Sequence, residues 1–191
     1  DACMAEGPRN VPLEQRPSVP EGAVVVVDVA RAKSDPANSV LAKVPAGCSA
    51  VRLAISPDGG RAYVTARNSN ALVVFDAAKL VSDPEHARIA TVPVGTSPVG
   101  VAVVDGGGKI IVTNSNRFSN SPTDNQYLTV IDAANVASGA AAVLGTIPAG
   151  GFPRELHATS DGRTLLLTNF TTGTLQVIDI ARLPLQPKPA Q

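Results

Sequence analysis

Few side chains in this sequence are equipped for acid–base or oxyanion chemistry, and several of them collect in one stretch. "GGFPRELHATSDGRTLLLTNF", residues 150–170, carries Arg154, Glu155 and His157 in near succession. In an extended strand, residues two apart share a face, so Glu155 and His157 project together. A carboxylate beside an imidazole can orient it and favour its protonated form, as for a general base working near neutral pH. Arg52 or Arg154 would then hold a carboxylate or a developing oxyanion. The competing reading is structural: Glu155 pairs with an arginine, and His157 fills space that alanine leaves elsewhere. With no nucleophile motif and no metal-ligand cluster in the sequence, the structural reading takes precedence. The other histidine, His86 in "SDPEHARI", is expected to be solvated.

The elements that must position these residues come from a repeat. "GCSAVRLAISPDGGRAYVT" from Gly47, "GTSPVGVAVVDGGGKIIVT" from Gly95 and "GGFPRELHATSDGRTLLLT" from Gly150 align without gaps, at spacings of 48 and 55 residues. A second ladder, "VVVVD", "LVVFD", "LTVID" and "LQVID", ends at Asp28, Asp76, Asp132 and Asp179 and keeps the same phase. The alignment puts Arg52, Gly100 and Glu155 in one column, and Ala54, Ala102 and His157 in another. Arg154 falls beside Val51 and Val99 on the opposite face, although at the strand start it could bend toward the mouth of the assembly. A period near 50 residues, with four short β-like runs per unit separated by turn chemistry, describes the blade of a β-propeller. The runs are apolar on both faces, as strands sandwiched between neighbouring sheets must be. The recurring aspartates read as acceptors for strand-end turns. "SPDGG", "VDGGGK" and "SDGR" read as hairpin turns and not phosphate loops, because no helix follows them.

The signature Pro-x-Gly, a small apolar strand, "SPDGGRAYVT" and then "VVFD" or "VID" resembles the YVTN family of β-propeller repeats. Tyr63 to Thr65 supplies "YVT" itself, and "IVTN" at Ile111 to Asn114 and "LLTN" at Leu166 to Asn169 are its counterparts. The resemblance covers about residues 20–180 and extends to "FPRE" and "LLLTNF" as a variant of a last blade. It implies an all-β propeller of four-stranded antiparallel blades, and a bacterial, periplasmic or secreted location. It also implies kinship with lactonase-like propellers, which use polar residues near the channel mouth. The tryptophans that mark Trp-Asp repeats and quinoprotein propellers are absent, as Trp does not occur in the chain. No haem-ligand motif is present and no cofactor is expected.

The expected organisation is a partial strand and irregular lead-in over 1–22 and a partial first blade over 23–46. A second blade follows over 47–94, then a third over 95–149 with a loop insertion at 115–126. A last blade over 150–183 lacks its outer strand, and a Pro-rich tail covers 184–191. That amounts to about three and a half blades, with "ACMAE" read as a second strand of the first. A ring of this type has about 4 to 8 blades, so the chain reads as the C-terminal half of a larger propeller, completed by a missing N-terminal half or by another chain. The insertion "SNRFSNSPTDNQ" could bring Asp124, Asn120 and Asn125 to a cation, but it lacks the ordered spacing of a Ca²⁺ loop and reads as a variable recognition loop.

Composition narrows the partners. Acidic and basic residues balance at 16 each and aromatics make up 3% of the 191 residues, so nothing recruits nucleic acid. The longest apolar run falls far short of the roughly 20 residues that span a bilayer. The reading is a non-catalytic scaffold that binds a protein, glycan or small ligand on one face, with a lactonase-like hydrolase as the alternative. Cys3 and Cys48 could form one disulfide, but two separate buried thiols are the expectation from the usual habits of free cysteine.

Overall fold

Fifteen short strands, joined by turns and single helical turns, make up the described part of the chain. The computed structural model describes residues 3–5, 10–117 and 126–184. β1 (Cys3–Met4) pairs with β2 (Ser18–Val19), and β3 (Ala23–Val27) with β4 (Val40–Pro45). β5 (Ala50–Ile55), β6 (Arg61–Ala66), β7 (Ala71–Asp76) and β8 (Arg88–Pro93) form a four-stranded antiparallel meander. The same order recurs in β9 (Pro98–Val104), β10 (Lys109–Asn114), β11 (Tyr127–Asp132) and β12 (Val143–Pro148). A three-stranded sheet of β13 (Pro153–Ala158), β14 (Thr164–Asn169) and β15 (Thr174–Asp179) follows. These are the blades of an all-β propeller, laid out as the two ladders require.

Sheets stack face to face through three apolar layers. Val24 and Val44 pack with Val64, Val73 and Phe75. Leu72 and Val74 on the other face of that second sheet pack with Ile110, Val112 and Ile131. Ile111, Leu128 and Val130 then pack with Leu165, Leu167 and Ile178. The inner strands β6, β7, β10 and β11 are therefore dry on both faces, which is why they show no clean apolar–polar alternation.

The turns repeat with the strands. Asp28 accepts from the backbone N–H of Arg31, Asp76 from Ala78 and Lys79, Asp132 from Ala134 and Asp179 from Ala181, so each recurring aspartate closes a strand-end turn. In the β5–β6 hairpin, Ser56 Oγ donates to Asp58, whose carboxylate also accepts from Gly60 N; Thr159, Asp161 and Arg163 repeat the arrangement between β13 and β14. These bonds favour the ionised carboxylates and hold both below the usual aspartate range.

Two expectations are corrected. Cys3 and Cys48 form a disulfide, with Cα atoms 5.3 Å apart, instead of two separate thiols. The lead-in is folded back over the second blade: Ala5 N donates to Pro17 O, and Asn68 Nδ2 donates to Met4 O, which brings the two cysteines within bridging distance. The described Cys3–Met4 of "ACMAE" does not pair with β3 of the first blade. It pairs only with Ser18–Val19, and among the described residues β3 has β4 alone as a partner.

Candidate functional site

β5, β9 and β13 are the first strands of successive sheets, and they lie against one another across the inner edge of the stack. Each carries an irregularity at the same place: the register shifts between Ala50 and Leu53 in β5, beside Pro98 in β9, and between Pro153 and Glu155 in β13. In β5 and β9 the threonine of the "YVT" signature fastens it. Arg52 N donates to Thr65 Oγ1 at 3.1 Å and Gly100 N to Thr113 Oγ1 at 2.6 Å. Thr65 Oγ1 in turn donates to Val99 O of the following blade at 2.8 Å. The bulge and the blade-to-blade contact are thus one device, built from a buried hydroxyl.

This device fixes the Arg52, Gly100 and Glu155 column. A Cβ on Gly100 would stand 2.6 Å from Arg154 O and 3.0 Å from Thr113 Oγ1, so β13 approaches β9 to a distance only glycine permits. With no side chain at position 100, Arg52 reaches from β5 past β9 to Glu155 on β13, and Arg52 Nη2 lies 3.0 Å from Glu155 Oε2. Both side chains are about half exposed, so the pair is a surface ion pair of modest strength.

His157 lies two residues beyond Glu155, exposed, opposite Leu166. It makes no hydrogen bond or ion pair with the described residues, and Glu155 is turned to Arg52. Arg154 sits in the bulge, without a register partner on β14, and is exposed. Its guanidinium carbon stands 5.9 Å from the ring centre of Phe152 and 5.6 Å from that of Phe170. The two rings meet edge to face, with centres 5.6 Å apart. Asp124 lies outside the described residues. His86 is exposed and its Nδ1 is 2.9 Å from Asp83, a bond that lowers the Asp83 pKa. Among the described residues no three metal-ligating side chains stand together.

Phe152 and Phe170 stand in "FPRE" and "LLLTNF" but were not among the predicted site residues. The signal was in the alignment: Phe152 occupies the column of Ser49 and Ser97, and Phe170 the column of Arg67 and Ser115. A cleft of about 350 Å³ at the far strand ends, lined by Asp58, Arg61, Tyr63 and the turn at Gly106, offers less chemistry. Its arginine is engaged in structure, with Arg61 Nη1 donating to Ala133 O, and burial raises the pKa of Tyr63.

No family model matches the chain, and no curated protein matches it. Solved structures do. Hydrazine synthase from Kuenenia stuttgartiensis aligns over 83% of this chain and 40% of its own at 24% identity, with a TM-score of 0.66. A candidate 6-phosphogluconolactonase from Bacteroides uniformis aligns over 85% of this chain and 45% of its own at 19% identity, TM-score 0.63. A periplasmic gluconolactonase from Pseudomonas aeruginosa aligns over 92% of this chain and 49% of its own at 21% identity, TM-score 0.61. The likeness is one of fold. The chain spans less than half the length of each of these proteins, and what it shares with them is a β-propeller fold.

Proposed function

We propose that the chain contributes blades to an extracytoplasmic β-propeller that works as a binding scaffold. Its ligand, a protein, a glycan or a small molecule, would lie on the ring face that carries Arg52, Arg154, Glu155 and His157. The observation behind this reading is the Arg52–Glu155 ion pair. The carboxylate that would polarise His157 is neutralised by a guanidinium, which leaves the histidine without the partner a general base needs. The scaffold requires further blades of the same repeat, from more of the polypeptide or from another chain. An extracytoplasmic setting is favoured by the Cys3–Cys48 disulfide, because such bonds persist in oxidising compartments, and by the periplasmic origin of one structural neighbour.

A second reading, hydrolysis of a lactone, is favoured by the neighbours described as gluconolactonases. The complete protein, assayed against a panel of sugar lactones, separates the two. The scaffold reading expects no turnover above the uncatalysed rate. Turnover that collapses in His157→Ala would replace it with the hydrolase reading, and turnover that survives His157→Ala would reject both the scaffold and the histidine base.

A further inference from the structure

The loop that joins each blade's first strand to the end of its second is built three times on one backbone plan. Arg67 N donates to Ser49 O and Asn68 N to Cys48 O; Ser115 N donates to Ser97 O and Asn116 N to Thr96 O; Phe170 N donates to Phe152 O and Thr171 N to Gly151 O. All six bonds are backbone to backbone, so the plan itself does not require particular side chains. Ser49, Ser97 and Phe152 adopt the same left-handed conformation, with φ of 56°, 52° and 53°.

In the last blade alone this loop carries phenylalanine on both sides, with arginine where the other blades have valine. A bulky aromatic residue at positive φ is strained, whereas a small polar one there is tolerated better. Phe170 is 65% exposed in this chain, whereas the aligned Ser115 of the preceding blade is buried. Arg154 has no hydrogen bond or ion pair with the described residues, yet its guanidinium is held against two rings. Strain, an exposed aromatic ring and an arginine with unspent donors coincide at one point of one repeat.

We propose that Phe152, Arg154 and Phe170 form a subsite for an organic carboxylate whose carbon skeleton presents an apolar or C–H-rich face. The guanidinium fork matches a carboxylate in two parallel hydrogen bonds. Stacking on the rings limits its motion, which lowers the entropy cost of capture. The exposed ring of Phe170 covers the ligand's carbon face, and this separates such a ligand from bare phosphate or acetate. Glu155 does not compete for Arg154, because its charge is matched by Arg52. The subsite rests on the reading that this ring face binds a ligand, and it specifies which chemistry is bound.

Titration with cyclohexanecarboxylate, acetate, inorganic phosphate and cyclohexylmethanol, followed by NMR of the arginine Nε–H and phenylalanine ring signals, tests it. Saturable binding of cyclohexanecarboxylate is expected, with the other three probes weaker by about tenfold or more, the loss of one charge-assisted or apolar contact. Arg154→Ala should remove the binding, and Arg154→Lys should weaken it by keeping charge without the fork. Phe152→Ser installs the residue that two other blades use at this conformation, so it should weaken binding while leaving the melting temperature equal or higher. The proposal is overturned if cyclohexanecarboxylate fails to saturate at millimolar concentration, if phosphate binds as tightly, or if Arg154→Ala binds like the wild type. It is equally overturned if Phe152→Ser unfolds the protein, since the ring would then serve the fold. The lactone assay decides the scaffold reading independently: turnover could reject that reading while the titration still found the carboxylate subsite.

Discussion

Gly100 holds together a site to which it contributes no side chain. It lets β13 come close enough that Arg154 O would stand 2.6 Å from any Cβ at this position, and it clears the path between Arg52 and Glu155. Gly100→Ala should therefore push β13 away and cost about 1–3 kcal/mol, the usual penalty of overpacking against backbone. Glu155→Ala removes only an exposed ion pair and should cost less than about 1 kcal/mol. Urea unfolding of the two variants checks the order: the glycine variant should show the larger fall in midpoint, with the slope unchanged. The reverse order would mean that the ion pair, and not the close approach, holds the strands. At this scale the sequence was informative only in part. The column alignment brought Arg52 level with Glu155, because a phase-locked repeat converts sequence spacing into spatial neighbours. It said nothing of the bulge that turns Arg154 onto two rings, since a register shift depends on hydrogen bonds that no side-chain pattern announces. Phe152 and Phe170 stand in the "FPRE" and "LLLTNF" of the last-blade variant, but nothing in the sequence joined them to Arg154 as one cluster.

The strands and blades were legible because each unit repeats the same turns and the same apolar runs. Asp76, Asp132 and Asp179 close equivalent turns, and Thr65 and Thr113 fasten equivalent bulges. The lead-in was not legible, since residues 1–22 have no counterpart elsewhere in the chain and no period of their own. The course of its described residues is set by the disulfide, by the β1–β2 pair and by Asn68 Nδ2 donating to Met4 O. The bridge joins residues 45 apart in sequence, and a loop of that size corresponds to up to about 4 kcal/mol of chain entropy removed from the unfolded state. Cys3→Ser should lower the melting temperature and loosen the lead-in before the blades. Cleavage by a glutamyl endopeptidase after the exposed Glu14 should then accelerate, while β5 to β12 stay protected. Equal protection of Glu14 in both proteins would show that strand pairing alone anchors this element.

At the scale of the whole molecule, the two ends of the stack expose opposite faces of the same interface. Leu175 and Val177 of β15 are 62% and 67% exposed, whereas their counterparts Leu72, Val74, Leu128 and Val130 are all fully buried against a following sheet. Val25 and Val27 of β3 are exposed too, and they correspond to Val73 and Phe75, which pack against a preceding sheet. Leu53 and Ile55 extend that second open face, because among the described residues no strand pairs with the inner side of β3 to cover them. Thr168 is exposed where Thr65 donates to the next blade's carbonyl. One end thus offers what the other end accepts, a head-to-tail relation that closes a ring when the rotation between units allows it and otherwise propagates. Exposed apolar patches of this kind drive association. The 191-residue polypeptide should therefore show a mass in solution that rises with concentration, and Leu175→Lys with Val177→Lys should return it to a monomer. These side chains are solvated in the single chain, so the double substitution should change its unfolding free energy by no more than about 1 kcal/mol. A monodisperse monomer before substitution would mean that these faces do not join blades, and a large loss of stability after it would mean that β15 is already covered in the isolated chain.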